Sequence, residues 1–239
     1  MDVRLPMNKN SLAEVKNGLR AVEIVKSRFK RLPRGVIQVG AHNGREVPRM
    51  ARSGVEKAVF IDPLHETFGT LSERVADVDG YVAIQALIGD EDGKQVTFNV
   101  SSNTGESSSF LEPSGHTEIK PDIHFSEKRE MTLRSLDSLL PEHEIESDGY
   151  DMMFIDTQGA EKHVITGALN TLKSIDFIWA EVSIGGIYDG DMPLSRFVIL
   201  LEALGFELGF CELKRFGWGD ALFVRRSVFI NQDDDSAQG

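Results

Sequence analysis

Cysteine is almost absent from this sequence: among 239 residues there is one, Cys211. That excludes an intramolecular disulfide framework and a cysteine-rich zinc site, and it fits the reducing cytoplasm best. Long apolar runs are missing too. Nowhere do the roughly 18 consecutive apolar residues of a spanning helix occur, and the opening MDVRLPMNKN lacks the apolar run of a secretory signal. Basic residues are in deficit, 26 Lys and Arg against 38 Asp and Glu, for a formal net charge of −12. A broad nucleic-acid groove needs clustered cations to displace counterions, and an anionic membrane surface attracts them, so neither partner is expected. No internal repeat and no linker rich in Pro, Gly or Ser divides the chain. What is present is an ordinary soluble composition, 41% hydrophobic and 27% charged, long enough to bury a substantial core as one domain.

Ser11 and Glu14 form an S-x-x-E capping box, and Leu12, Val15, Leu19, Val22, Val25 and Phe29 recur at three- and four-residue steps. This pattern predicts an amphipathic helix within an N-terminal helical extension, residues 1–35. Beyond it, short apolar runs alternate with helical stretches. Strands are expected at 36–39, 59–61, 81–88, 96–100, 153–156 and 177–182, and helices at 65–75, 160–172 and 194–204. Two last strands, 206–210 and 221–225, flank Gly217 and Gly219 and suggest an antiparallel hairpin. Residues 101–129 read as a long irregular polar segment, which in a compact domain is either functional or disordered. Residues 227–239, with Asp233, Asp234 and Asp235 in a row, read as a disordered acidic tail. The main domain is then 36–226, an α/β fold whose mostly parallel sheet carries helices on both faces. Ligands on such sheets bind beyond the carboxyl ends of the strands, where strand order reverses.

Gly40-Ala41-His42-Asn43-Gly44 follows the first strand of that domain. Glycines there allow a sharp turn and a close backbone approach to a ligand. The spacing is G-x-x-x-G, so the dinucleotide fingerprint is not matched. Asp62 lies 22 residues beyond Gly40, at the end of the next strand. A carboxylate in that place can accept the hydroxyls of a ribose. Together the two signals favour a nucleoside-bearing ligand.

Several blocks resemble the FkbM-type methyltransferases. VIQVGAHNG at 36–44 resembles their cofactor loop and VFIDP at 59–63 their ribose-binding strand end. ALIGDEDGKQVTF at 86–98 is similar to their third-strand and hairpin block, and SNTGESSSFLEP at 102–113 to a block of one branch of the family. TLRSLDSLLP at 132–141 and FIDTQGAEKHVITGAL at 154–169 carry most of the specificity. Gln38 departs from the pattern: many members carry an acid there, and an amide can hydrogen-bond but brings no charge. The resemblance implies a Rossmann-like class I methyltransferase sheet, mostly parallel with a C-terminal antiparallel hairpin. It implies S-adenosylmethionine as cofactor, held by Gly40, Ala41, Asn43, Gly44, Asp62, Pro63 and Asp156, and transfer of its methyl group to a hydroxyl oxygen.

An alcohol acceptor needs a base to relieve it of its proton. Asp156 ends one central strand and Glu181 the next, and His116 lies in the polar segment; these are the catalytic candidates. Asp156 fits equally a contact to the methionine end of the cofactor. Glu161, in the first turn of the following helix, fits acceptor binding as well as it fits a dipole-complementing acid. Asn103, Ser107 and Ser108 offer uncharged donors and acceptors suited to a polyhydroxylated ligand, so a sugar or other small hydroxylated molecule is the expected acceptor. No tight carboxylate spacing calls for a metal. Phe216-Gly217-Trp218 brings aromatic residues to the final hairpin. Two other readings of the same fold stand beside this one, an NAD(P)-dependent oxidoreductase and a non-catalytic binding module.

Overall fold

A computed structural model describes residues 20–229. The capping box at Ser11 and Glu14, the first turns of the expected N-terminal helix and the Asp233–Asp235 run lie outside the described residues. The chain runs through α1 (Arg20–Phe29), β1 (Val36–Val39), α2 (Val47–Ser53), β2 (Ala58–Asp62), α3 (His65–Ala76), β3 (Tyr81–Gln85), β4 (Leu87–Ile88) and β5 (Gln95–Val100). It continues through α4 (His116–Ile119), β6 (Glu127–Arg134), α5 (Leu136–Glu142), β7 (Met152–Ile155), α6 (Glu161–Thr166), β8 (Phe177–Ser183), α7 (Leu194–Ala203), β9 (Phe206–Leu213) and β10 (Trp218–Arg225).

Seven strands form one sheet in the order β3-β2-β1-β7-β8-β10-β9. The first five are parallel, and β10 inserts antiparallel between β8 and β9. This is the class I methyltransferase sheet with its terminal hairpin. Strand order reverses between β1 and β7, because β2 and β3 extend one way and β8 the other.

The period-two alternation of each strand divides its apolar side chains between two cores. Ile37, Val39, Val59, Ile61, Met153, Ile155 and Ile178 face α5, α6 and α7, meeting Leu136, Leu140, Val164, Phe197 and Leu201. Val36, Ala58, Phe60, Met152, Phe154 and Phe177 face α1, α2 and α3, meeting Val22, Val25, Met50, Leu71 and Val75. Burial on both faces is why the central strands read as continuous apolar runs. The α1 helix is thus part of the second core, with the ring of Phe29 edge-on to Phe177 at 5.3 Å between centroids.

Several boundaries differ from the pattern read along the sequence, and the final hairpin is longer than expected, with β9 running on to Leu213 and β10 beginning at Trp218. The expected strand at 81–88 is broken at Ala86: β3 stays in the main sheet, while β4 leaves it to join a three-stranded sheet in the order β4-β6-β5. The expected irregular segment ends early, because residues 127–134 form β6, antiparallel to β5. Its alternating charges gave no apolar period. The helix expected to Leu172 stops at Thr166. A Cβ on Gly167 would stand 2.0 Å from the carbonyl oxygen of Gly89, so the chain there is pressed against another backbone and turns. At the C-terminus, residues 226–229 form a helical turn, and Val228 and Phe229 pack against the second core. The rest of the expected tail, residues 230–239, lies outside the described residues.

Candidate functional site

The register aligns Val39, Ile61, Ile155 and Ala180 across the four central parallel strands. The residues one step further along the chain, Gly40, Asp62, Asp156 and Glu181, therefore form a single rank at the carboxyl edge of the sheet. This rank straddles the reversal of strand order, where α/β folds bind their ligands.

Two cavities open above it. The first, about 780 Å³ counting its mouth, is lined at its floor by Gly40, Ala41, Asp62, Pro63 and Asp156, with Gln38 behind them. Leu87, Phe98, Gly105, Ser108 and Phe110 roof it from the small sheet and the segment after β5. The roof is latched to the loop after β1: His42 Nε2 lies 2.8 Å from the carbonyl oxygen of Thr104, and Arg45 pairs with Glu106 at 3.0 Å. The second cavity, about 610 Å³, includes His116, Lys120, Glu161, Glu181, Tyr188 and Trp218 in its lining. Gln158 lines both.

Gly40 has a φ of 83°, in the left-handed region. Its backbone lies so close to that of Asp156 that only hydrogen fits between them. The Asp62 carboxylate accepts hydrogen bonds from the His42 N–H at 2.6 Å, the Thr67 hydroxyl at 2.8 Å and the Leu64 N–H at 3.2 Å. Burial pushes its pKa up, and those three donors pull against the shift. Gln38 Oε1 is buried and accepts no hydrogen bond among the described residues. Asn43 and Gly44 do not line the cavity. Asn43 receives Arg74 Nη1 on both its carbonyl and its side-chain oxygen, and Gly44 packs over Leu71.

Asp156 and Glu181 are joined by one amide. Gln158 Nε2 donates to Asp156 Oδ1 at 2.6 Å and to Glu181 Oε2 at 2.8 Å, while its backbone holds a φ of 54°. Glu161 closes the same turn, accepting from the Thr157 N–H at 3.0 Å and the Gly159 N–H at 3.2 Å. All three carboxyls lie above their usual pKa. Enclosure by protein is the first cause for each; Asp220 and Glu46 then raise Asp156, Asp156 raises Glu161, and Asp156, Glu161 and Asp220 raise Glu181, so that Glu161 reaches about 7 and Glu181 stands well above its ordinary value. Asp156 is exposed on its cavity side, and the hydrogen bond from Gln158 pulls against the rise of its pKa. Among the described residues no group of three His, Cys, Asp or Glu is placed to hold a metal ion.

His116 is buried at 4% exposure, and neither ring nitrogen has a hydrogen-bond partner among the described residues. Burial, then the charge of Lys120, lowers its pKa and keeps the ring neutral. The ring packs against Phe125 and Tyr188. Asp191 accepts N–H groups from Gly186, Ile187 and Tyr188, folding the loop after β8 so that Tyr188 turns inward. The Tyr188 hydroxyl then donates to the carbonyl oxygen of Ser107 at 2.8 Å. Lys120 Nζ stands 5.2 Å from the ring centre of Trp218.

The polar segment is used differently from the sequence expectation. Asn103 and Ser107 line neither cavity. Asn103 accepts the Ser101 hydroxyl at 2.6 Å and donates to Ser107 Oγ at 3.1 Å, which ties the loop to itself. Ser108 faces the first cavity, where a cofactor is expected, and not the second. Gln158 and Tyr188 were not singled out in the sequence. Gln158 had a signal, since it stands between two candidate acids inside the 154–169 block. Tyr188 had none: nothing local says that its loop folds back over the sheet edge.

The sequence pattern of the methyltransferase FkbM domain matches residues 38–208. A 2-O-methyltransferase, NoeI, from Sinorhizobium fredii (strain NBRC 101917 / NGR234) is 27% identical over 194 residues, covering 78% of this chain and 77% of that protein. Solved structures with a likeness include a SAM dependent methyltransferase from Aquifex aeolicus, with 11% identity, 87% of this chain and 93% of that one covered, and a TM-score of 0.46. The ribosomal protein L11 methylase from Lactobacillus delbrueckii subsp. bulgaricus is similar at 10% identity, 89% and 81% coverage, and a TM-score of 0.47. Likeness at that level adds no weight to the family match.

Proposed function

The chain belongs to the FkbM methyltransferase family, whose methyl donor is S-adenosylmethionine, and on that premise we propose that it methylates a hydroxyl oxygen of a sugar or other small hydroxylated molecule. The observation that carries this reading is the pair of cavities that meet at Gln158 above one rank of strand ends. One cavity suits the donor. Gly40 and Ala41 bring backbone to its floor, Asp62 presents a buried carboxylate to a ribose, and the unpartnered Gln38 Oε1 offers an acceptor to an ammonium group. The other cavity suits an uncharged acceptor rich in hydroxyls, offering Glu161, Glu181, Ser183 and Tyr188 among apolar walls.

When bound, S-adenosylmethionine supplies a methyl carbon on a positively charged sulfur, and so brings its own leaving group. The protein's part is then positioning and proton removal. Asp156 belongs to the donor side and holds Gln158. Glu181 faces the acceptor and takes the hydroxyl proton as oxygen attacks the methyl carbon; its raised basicity suits a weakly acidic alcohol. The neutral His116 ring, with both nitrogens unclaimed, orients a second hydroxyl or shares the proton. Asp156, Glu161 and Glu181 work here without a metal. The single thiol and the acidic charge support a cytoplasmic enzyme whose acceptor is neither nucleic acid nor membrane. The relative's 2-O-methyltransferase name supports oxygen as the methylated atom. Membership in a methyltransferase family removes the support for an oxidoreductase.

Incubation with S-adenosylmethionine carrying a labelled methyl group, against a panel of sugars, glycans and hydroxylated metabolites, tests this. An alkali-stable methyl ether is expected. Label on nitrogen or on nucleic acid would overturn the acceptor class, and donor binding without turnover on any acceptor would favour a binding module.

A further inference from the structure

Gln158 gives both hydrogens of one amide to carboxylates on different strands, and each carboxylate serves a different cavity. Asp156 lines the first and Glu181 the second. The amide has little freedom to do anything else. Its backbone is held in the left-handed region, and the following Gly159 is pressed against the Tyr188 ring, which a Cβ would approach to 2.9 Å. Its Oε1 lies 3.4 Å from the Tyr188 hydroxyl.

The charges around this unit are mostly negative. Glu181 is faced by Asp156 at the end of β7, Glu161 on α6 and Asp220 on β10, with Lys214 as the cation that eases it, while the nearby Tyr188 phenol is held neutral by burial and by the same acids. Asp156 is faced by Asp220 and Glu46, with Arg45 opposing them. The remaining cations of the second cavity, Lys120 and Lys162, line its wall. Crowded acids that share donors hold on to protons until a positive charge arrives.

Resting on the reading that the first cavity takes S-adenosylmethionine, we propose that Asp156, Gln158 and Glu181 act as one unit through which the cationic donor expels a proton from the carboxyl facing the acceptor. The O–H bond of that carboxyl breaks and the proton passes to solvent, leaving a carboxylate base in the second cavity only when a methyl group is ready to be transferred. The product, S-adenosylhomocysteine, has lost the sulfonium charge and does not hold the unit in its ionised form. The base is thereby armed by substrate and disarmed by product.

Calorimetric titration of the whole chain at pH 7, in buffers of different ionisation enthalpy, counts the protons moved on binding. S-Adenosylmethionine is expected to release protons, S-adenosylhomocysteine to release distinctly fewer, and Glu181→Gln to lose the difference while still binding the donor. Equal proton counts for the two ligands in the unaltered protein would overturn the proposal and leave the methyltransferase reading standing. A difference that persists in Glu181→Gln would overturn it as well, by placing the proton elsewhere. Failure of both ligands to bind would instead overturn the reading on which the proposal rests. Should Glu181→Gln not fold, equal proton counts for the two ligands on the unaltered chain would still overturn the proposal.

Discussion

A Cβ atom on Gly40 would stand 1.8 Å from the carbonyl oxygen of Asp156. The two residues follow paired strands, β1 and β7, and their backbones touch where the strand order reverses. The loop that turns out of β1 therefore lies directly on the loop that carries the carboxylate unit, and the shape of one sets the position of the other.

Gly40→Ala should consequently damage both stability and binding. A left-handed backbone costs a residue with a Cβ about 1–2 kcal/mol, and here the β7 loop must also move aside. A total near 3 kcal/mol corresponds to a fall in Tm of roughly 6–12 °C for a domain of this size. Calorimetry of the variant checks the fall, and titration with S-adenosylhomocysteine should show weakening beyond tenfold. An unchanged affinity would mean that the turn is not part of the donor site.

Asp62→Asn keeps an oxygen for the loop donors but removes the charge. A hydrogen bond to a charged group contributes about 1.5–3 kcal/mol, so the Kd for S-adenosylhomocysteine should rise roughly 10- to 100-fold. The melting temperature should fall as well, because Thr67 and Leu64 keep an acceptor while the new amide nitrogen faces the His42 N–H that the carboxylate had accepted. Equal binding by both proteins would remove Asp62 from the site.

Glu161 makes stability depend on pH. Its carboxyl titrates near 7 in the folded chain, against an ordinary value of 4.5. Between those values the folded state holds a proton that the unfolded state has released, so stability falls as pH rises from 4.5 to about 7 and then levels. Glu161→Gln should flatten that part of the curve, as read from denaturation midpoints at pH 5 and pH 8. Asp62, Asp156, Glu181 and Asp220 are raised in the same direction, so the slope should diminish without vanishing.

Arg31 works at the opposite edge of the sheet. Its guanidinium reaches Asp151 at 2.7 Å and Asp176 at 2.6 Å, and the Asp151 side chain is fully buried. Removing one partner of such a group leaves a buried charge with less compensation. Arg34 also reaches Asp151, at 3.2 Å, and softens the loss. Arg31→Met should cost about 2 kcal/mol of stability and leave donor affinity as it was. A change in affinity with unchanged stability would contradict this division between frame and site.

Much of the frame was legible from local pattern. The apolar runs at 36–39 and 177–182, and the helices at 65–75 and 194–204, agree with the folded chain within about two residues. Fully buried strands and amphipathic helices carry strong apolar signals of different period. The β6 strand was missed because alternating charges over 127–134 satisfy a half-exposed strand without an apolar period. The long segment before it was assigned to the acceptor on its serines, yet Asn103 and Ser107 spend their hydrogen bonds inside the loop. Such use depends on backbone groups that no residue type announces.

Cysteine scarcity, the alternation of buried strands with the longer helices, the glycine turn at 40 and the acids at 62, 156 and 181 were properties of the sequence alone. They depend on side-chain chemistry and on neighbours along the chain. Only the tertiary structure decided that Gly40, Asp62, Asp156 and Glu181 share one rank, because that follows from the register of parallel strands far apart in sequence. Only folding, too, brought Tyr188 back over the sheet edge and placed Gln158 between two carboxylates. Those contacts are set by which strand lies beside which, and pairing between distant segments leaves no local period to read.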